Sequence, residues 1–418
     1  MNQAFTDIGT KLGGPSGIQE LMQDLGDALT GDPEMRMLGG GNPAAVPEMQ
    51  ALWRRRMQEL LDEGGTLDGA LGNYDPPGGN PQFREMFAAF LKENCGWDVG
   101  AKNIVVLPGG QTAFFYLYTL LAGHSGTKKR KVLFPITPEY IGYANQTLER
   151  DCFVAVRPRI EERAGNTFKY RIDFDRLKIT EDIAAICLSC PTNPTGNVIS
   201  NDELAALRKL AAQHGIPLIL DQAYGMPFPG AIYVDWKPVW DENTIVSISL
   251  SKLGLPGTRT SVIVAHERYT KALANMNAVV ALANGNLGQA ILKPLLKGSE
   301  LMRLSREVIR PFYEQRSQAA AAVLHDHLAG RAPYALHVSE GAFFLWLWLK
   351  DLPITSDELY QRLKRRKVLV VPGHYFFFGL DEPWDHQDQC LRLTYSQDMN
   401  VVREGLEIIA DEVASLTR

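Results

Sequence analysis

Thr244-Ile245-Val246-Ser247-Ile248-Ser249-Leu250-Ser251-Lys252 runs directly into Leu253-Gly254-Leu255-Pro256-Gly257-Thr258-Arg259. The first five residues are a short apolar run rich in β-branched side chains and read as a buried strand. Two glycines and a proline after Lys252 interrupt regular structure up to Arg259. A lysine where a strand opens into a small-residue loop is poorly placed for packing. It is well placed for chemistry: an amine with room beside it, flanked by hydroxyls and a guanidinium that suit an anion.

The same pattern extends outward. Ile104-Val105-Val106-Leu107 ends in Pro108-Gly109-Gly110, and a helix follows from Gln111 to Leu121. Val132-Leu133-Phe134 ends at Pro135, Ala184–Leu188 at Pro191, and Pro217–Leu220 at Asp221. Glu203 to His214 has helical composition, with Ser200 or Asn201 as its cap. Ser261–Val264 completes the set. Continuous apolar strands alternating with helices predict an α/β fold, a mostly parallel sheet of seven-stranded type between helices. Such sheets bind ligands at the carboxyl ends of their strands. Gly109, Gly110, Gln111, Thr112, Asn193, Asp221, Tyr224, Ser249 and Lys252 all fall there.

Both chain ends read differently. Residues 1–60 and 295–418 are helix-rich, with strands near Tyr334–Val338, Phe343–Leu349 and Val368–Val371. The expected division is a large domain over 61–294 and a smaller α+β domain built from 1–60 and 295–418. A long helix from Leu287 to Ser317 is expected to join them.

Composition narrows the function. The 418 residues are 45% hydrophobic and 22% charged, with a net charge of −5. That balance disfavours binding to a phosphate backbone, so no nucleic-acid partner is expected. The basic run Lys128-Lys129-Arg130-Lys131 reads as a solvated loop before a strand. The longest apolar run, Ala342 to Leu349, is too short to span a bilayer, and no leader segment is visible at the N-terminus, so a cytoplasmic protein without a membrane partner is expected. Five cysteines form no disulfide framework. Cys187 and Cys190 lie three apart on a strand and face opposite ways; His325 and His327 do not share a helix face. No metal site is expected.

Several motifs admit two readings. Cys190-Pro191-Thr192-Asn193-Pro194-Thr195-Gly196 is a tight turn, or a turn that fixes the Asn193 amide toward an oxyanion. Asp221 caps a following helix, or pairs with a protonated pyridine nitrogen, with Tyr224 three residues on beside the ring hydroxyl. Gly109-Gly110-Gln111-Thr112 is a plain turn, or a phosphate site at a helix N-terminus. Asn73-Tyr74-Asp75-Pro76-Pro77-Gly78-Gly79 is a rigid polar loop. Arg392, in the alternating strand Leu391–Tyr395, is a solvated edge residue or a bidentate clamp for a carboxylate. For Lys252, the ligand that suits a loop-bound amine with an anion site beside it is pyridoxal 5′-phosphate, held as a Schiff base.

Taken in order, these motifs resemble the fold-type I pyridoxal-phosphate enzymes of the aspartate aminotransferase superfamily. The resemblance runs from about Gly39 to the C-terminus and includes Gly39-Gly40-Gly41-Asn42-Pro43. It implies a Schiff-base role for Lys252, a ring-nitrogen partner in Asp221, and ring-oxygen partners in Tyr224 and Asn193. It implies a phosphate cup of Arg259, Ser249, Gly110 and Gln111, with Tyr140 stacked on the ring. Arg392 corresponds to the α-carboxylate clamp, with Gly40 and Asn193 also at the substrate. Tyr74 corresponds to a tyrosine that reaches the phosphate of a neighbouring subunit, which implies a homodimer with shared sites. The chain departs from the pattern at Leu253-Gly254, where a Phe-Gly pair is usual, and Arg259 follows Lys252 at a spacing one residue shorter than in many relatives.

The activity implied is transfer of an amino group from an aliphatic amino acid, valine, to pyruvate. A β-eliminating C–S lyase, or a broader alanine and 2-aminobutyrate aminotransferase, is the alternative on the same scaffold. A ligand-sensing regulator is a further class, but no basic helix-turn-helix segment precedes residue 40. Phe376-Phe377-Phe378 and Tyr143 are expected, by position, near the side-chain pocket.

Overall fold

The computed structural model describes residues 5–19, 22, 23, 26 and 34–416. An eight-stranded sheet occupies the middle of the chain. Its strands run in the order Ile104–Leu107, Ser261–Val264, Thr244–Ser249, Leu218–Asp221, Ile183–Ser189 and Lys128–Phe134, with Phe153–Ala155 and the short Gly123–Ser125 both pairing with the last. The pairing is parallel from Thr244–Ser249 to Phe153–Ala155. Ser261–Val264 runs antiparallel to both its neighbours, and Gly123–Ser125 adds an antiparallel hairpin strand at the edge. The expected mostly parallel sheet between helices is therefore present.

Alternation within each strand sorts side chains into two cores. Val105, Leu107, Ile219, Ile245 and Ile263 lie in one with Phe114 and Leu117 of the Gly110–Leu121 helix. Val106, Leu218, Leu220, Val246, Ile248, Val262 and Val264 lie in the other. This is the two-residue period of a strand buried on both faces. Each such side chain contributes roughly 1.5–3 kcal/mol by leaving water. The Asn201–Gln213 helix starts at a capping box, with Ser200 Oγ accepting from Glu203 N at 3.1 Å and Glu203 Oε2 accepting from Ser200 N at 2.8 Å.

A six-stranded sheet lies beside it, in the order Val371–Pro372, Cys390–Thr394, Phe344–Leu349, Tyr334–His337, Thr167–Arg171 and Arg159–Arg163. The last two strands come from mid-chain, a contribution that the helix-rich chain ends did not foreshadow. The helix Arg310–Leu328 packs against this sheet and against Met399–Leu416, which also packs on the parallel pair Arg36–Met37 and Val368–Leu369.

Two expectations change. The helix from Leu287 to Ser317 is not continuous. It breaks after Leu292, where Pro294 withholds a backbone donor and Gly298 takes φ +81°, then resumes at Glu300 and runs on to Leu328 through a π-helical stretch at Ser305–Ile309. The basic run is itself strand: Lys128–Arg130 pair with Gly123–Ser125, Lys128 is exposed and the next three are half-buried, with Lys128 on Glu181 at 3.2 Å and Lys131 on Asp182 at 2.9 Å. Among the described residues no helix is long and apolar enough to cross a membrane.

Candidate active site

The carboxyl ends of the large sheet open into a cavity of about 360 Å³. Asp221 is the last residue of its strand and lines the floor. Its Oδ2 accepts from the Tyr143 hydroxyl at 2.5 Å and its Oδ1 from Ala223 N at 3.0 Å. No helix follows Asp221 directly, so capping does not account for it. Burial raises its pKa to about 6, against those two hydrogen bonds and the charge of Lys252.

Lys252 lies in a 3₁₀ turn just past the neighbouring strand. Its Nζ donates to Gly41 O at 2.6 Å and sits 5.2 Å from the centre of the Tyr224 ring. Burial first and then the charge of Arg392, opposed by Asp221, lower its pKa to about 8. More of the amine is thus neutral near physiological pH than in an ordinary lysine, which favours a proton-transfer base. Tyr224 is buried, its ring edge-on to Phe343 and Phe344.

Arg392 is buried in the six-stranded sheet, between Phe344–Leu349 and Val371–Pro372, and is not an edge residue. Alternation fails as a guide because Cys390–Thr394 is buried at every position, so both faces of the strand are covered. Its Nη1 donates to Asn193 Oδ1 at 2.9 Å and its Nη2 to Gly39 O at 2.6 Å, while the guanidinium lies 4.4 Å over the Phe344 ring. The bond to Oδ1 orients the Asn193 amide and leaves its Nδ2 as the donor. Gly40 lines the cavity beside it.

At the opposite end, Gly109 takes φ +86° and the Gly110–Leu121 helix begins. A Cβ on Gly109 would lie 2.2 Å from an Arg259 terminal nitrogen, so the guanidinium crosses that helix N-terminus at van der Waals contact. The first N–H groups of the helix, at Gly110 and Gln111, have no partner within it. Together they form an anion cradle. Ser249 lines the same end, its Oγ accepting from Ser251 N at 3.2 Å. The Leu253-Gly254 departure has its own support: Trp53 Nε1 donates to Leu253 O at 3.2 Å and packs on Gly254. Tyr140 lines the wall, with its hydroxyl 3.3 Å from Gln111 Oε1.

The residues expected at the site thus converge on one cavity, Tyr74 excepted. Tyr74 is 83% exposed and does not line it. Of the residues expected by position near a side-chain pocket, Tyr143 lines the cavity and Phe376, Phe377 and Phe378 do not. Tyr143 bonds Asp221, and the Phe376–Phe378 run lies outside the lining, with Phe376 5.4 Å from the Arg392 guanidinium and Phe378 edge-on to Phe134. The apolar wall is made instead by Ile18, Met22, Met37 and Ile141. Ile141 follows the expected Tyr140, whereas nothing local in the sequence marks Ile18, Met22 and Met37, because the chain end reaches the cavity only through the tertiary fold.

The sequence profile described as "Aminotransferase class I and II" matches residues 47–409. The chain belongs to this aminotransferase family. It is 48% identical to the valine–pyruvate aminotransferase of Escherichia coli (strain K12), over 98% of each chain. The crystal structure of a valine–pyruvate aminotransferase from Salmonella typhimurium LT2 aligns with TM-score 0.88 and 48% identity, covering 96% of this chain and 100% of that one. A putative amino-acid aminotransferase from Psychrobacter arcticum 273-4 aligns with TM-score 0.96 and 40% identity, covering 100% and 99%. Aspartate aminotransferase from Thermus thermophilus, at 21% identity and TM-score 0.79, shares the fold. The cofactor of the family is pyridoxal 5′-phosphate. The donor set fits it part by part: an amine for the aldehyde, a carboxylate for the ring nitrogen, amide and phenol donors for the ring oxygen, and a guanidinium with free N–H groups for the phosphate.

Proposed function

We propose that this aminotransferase moves the amino group of a small aliphatic amino acid, foremost valine, to pyruvate, giving 2-oxoisovalerate and alanine in amino-acid biosynthesis. The observation that carries the reading is the composition of the cavity: Lys252, Asp221 and Arg392 face it together, under an apolar wall of Ile18, Met22, Met37 and Ile141. The valine–pyruvate activity named for the Escherichia coli relative supports the choice of donor.

Lys252 Nζ, Asp221, Asn193, Tyr224 and the cradle of Arg259, Ser249, Gly110 and Gln111 would hold the cofactor. Pyridoxal 5′-phosphate, when bound, supplies a cationic ring that takes up the electron pair left by the breaking Cα–H bond. Asp221 keeps the ring nitrogen protonated through a charge-assisted hydrogen bond. Arg392 binds the substrate carboxylate and so fixes the direction of the Cα–H bond. Its Nε is buried without a partner among the described residues. Lys252 Nζ takes the α-proton, a role its lowered pKa serves. The apolar wall accepts a branched side chain, and one methylene more or less changes the rate only about 10–200-fold.

The reading includes a homodimer. The exposed Tyr74 belongs to a loop that Asn277 and Asn284 tie down through Pro77 O, at 2.8 and 3.0 Å. Val279, Val280 and Leu282, all exposed, adjoin that tie. An apolar face beside a tyrosine directed away from its own site suits a second copy of the chain. Within each copy, 61–294 forms the cofactor-binding domain and both chain ends the other, with strands 159–171 crossing to it. The five unpaired cysteines suit a reducing cytoplasm.

An amino-donor panel against pyruvate tests the activity. Alanine formed with 2-oxoisovalerate from valine, and lost by at least about 10²-fold in Lys252→Ala, is expected. Failure of every aliphatic donor to give alanine, or release of ammonia and thiol in its place, rejects it.

A further inference from the structure

Lys169 stands in the six-stranded sheet, outside the cavity lining, and is 2% exposed. Its Nζ is paired with Glu340 Oε2 and donates to Asn197 Oδ1 at 3.1 Å and Val198 O at 2.9 Å. The same Glu340 oxygen accepts from Val198 N at 3.0 Å. One buried ion pair therefore grips both polar backbone groups of Val198 and the side chain of Asn197.

Those residues close the loop that carries Asn193. Asn197 O accepts from Thr192 N at 2.9 Å and Thr192 O from Gly196 N at 2.8 Å, so the far end of the loop is tied to the residue beside Asn193. Gly196, at φ +69°, abuts the backbone next to Glu340: a Cβ there would lie 2.6 Å from Gly341 O. Arg392 holds the near end through Asn193 Oδ1. Lys169 and Arg392 stand on strands of one sheet, which thus holds the loop at two points.

Stability alone is a weak reason for such a pair. Desolvating two charges offsets most of their attraction, and apolar replacement of buried pairs is often neutral. The pair also leaves Asn197 Nδ2 buried without a partner among the described residues, an unfavourable arrangement in itself. What the pair supplies is direction. We infer that Lys169 and Glu340 are positioning residues that set the Asn193 loop, and through it the donor that meets the ring oxygen of the cofactor.

The inference rests on Asn193 lying at the cofactor, and the test separates the two. A donor at an anionic ring oxygen lowers the pH at which the bound chromophore takes up its proton. The visible spectrum of the loaded protein is titrated for the parent, Asn193→Ala, the double variant Lys169→Met with Glu340→Met, and all three changes together. Removing both charges avoids leaving one buried ion unpaired. Asn193→Ala and the double variant should each raise the midpoint by about one pH unit, the loss of one charge-assisted hydrogen bond. The triple variant should move no further than Asn193→Ala, since the clasp acts through Asn193. In the cofactor-free protein, amide exchange at Thr192, Gly196 and Val198 should quicken in the double variant. Glu340→Asp, with both charges kept but a shorter reach, should shift partway and serves if the double variant does not fold. An unmoved midpoint in the clasp variants beside a shifted Asn193→Ala overturns the clasp, as does an additive triple variant. An unmoved Asn193→Ala overturns the site reading and the clasp with it.

Discussion

Asp221 shows how one residue sets opposing demands. Burial drives its carboxyl toward the neutral form, and the Tyr143 hydroxyl is the leading influence that holds the charge. Pairing with a ring nitrogen needs the ionised form. Cofactor affinity of the free protein should therefore fall as pH drops through about 6. Tyr143→Phe should move that fall upward by about one pH unit, the worth of one hydrogen bond to a charged group. Equilibrium titration with pyridoxal 5′-phosphate between pH 5 and 8 measures it, and an unmoved midpoint would remove Tyr143 from the site. The sign for folding is opposite. A carboxyl whose folded pKa is raised costs stability above that pKa, and the cost fades as pH falls toward the unfolded value. Asp221→Asn should thus melt higher than the parent at pH 7 when cofactor-free, by an amount on the order of 1–3 kcal/mol, while transamination is lost. Lys252, Asp221 and Asn193 were legible because each follows a buried strand next to turn-forming residues. The bond between Tyr143 and Asp221 was not: the two lie 78 positions apart, and no local pattern marks a tyrosine in a 3₁₀ turn as an acid's neighbour.

Among the elements, the Gly110–Leu121 helix N-terminus has the narrowest tolerance. Gly109 is required twice, by φ +86° and by the Arg259 guanidinium lying where a Cβ would go. Gly109→Ala should strain the turn and push the guanidinium off the cradle. Cofactor affinity is expected to drop at least about tenfold, the loss of one charge-assisted contact, with a smaller effect on the KM for the amino acid once the cofactor saturates. Fluorescence titration of the cofactor-free variant reads the first quantity and steady-state kinetics the second; equal binding to the parent would refute the cradle. Elements were legible in proportion to how plainly their periodicity reported burial. Ile183–Ser189 and Thr244–Ser249 are apolar runs buried at every position. Arg159–Arg163 is not, because three arginine and glutamate positions face solvent, and it escaped notice as a strand. Arg392 misled in the opposite sense, as alternation cannot tell a solvated face from one covered by other elements.

For the whole molecule the decisive question is whether one chain makes a complete site. Tyr74 is exposed, yet its loop is held by Asn277 and Asn284 and borders exposed Val279, Val280 and Leu282. If a second copy covers that face, each cavity takes Lys252 from one chain and Tyr74 from the other, and the assembly has twice the 46.5 kDa of one chain. A two-fold dimer makes this separable by genetics. A chain with Lys252→Ala keeps an intact Tyr74, and a chain with Tyr74→Ala keeps an intact Lys252. Each homodimer should be impaired at limiting cofactor, the first because it lacks the proton-transfer amine and the second because its phosphate is held less tightly. Random pairing of the two places both defects in one site of each mixed dimer and leaves its other site intact. Co-expressed chains carrying different tags should therefore regain about a quarter of parental activity, all of it in the mixed species. Activity in the mixed species no greater than the mean of the two homodimers would show that each chain builds its site alone, and the exposed tyrosine would need another partner.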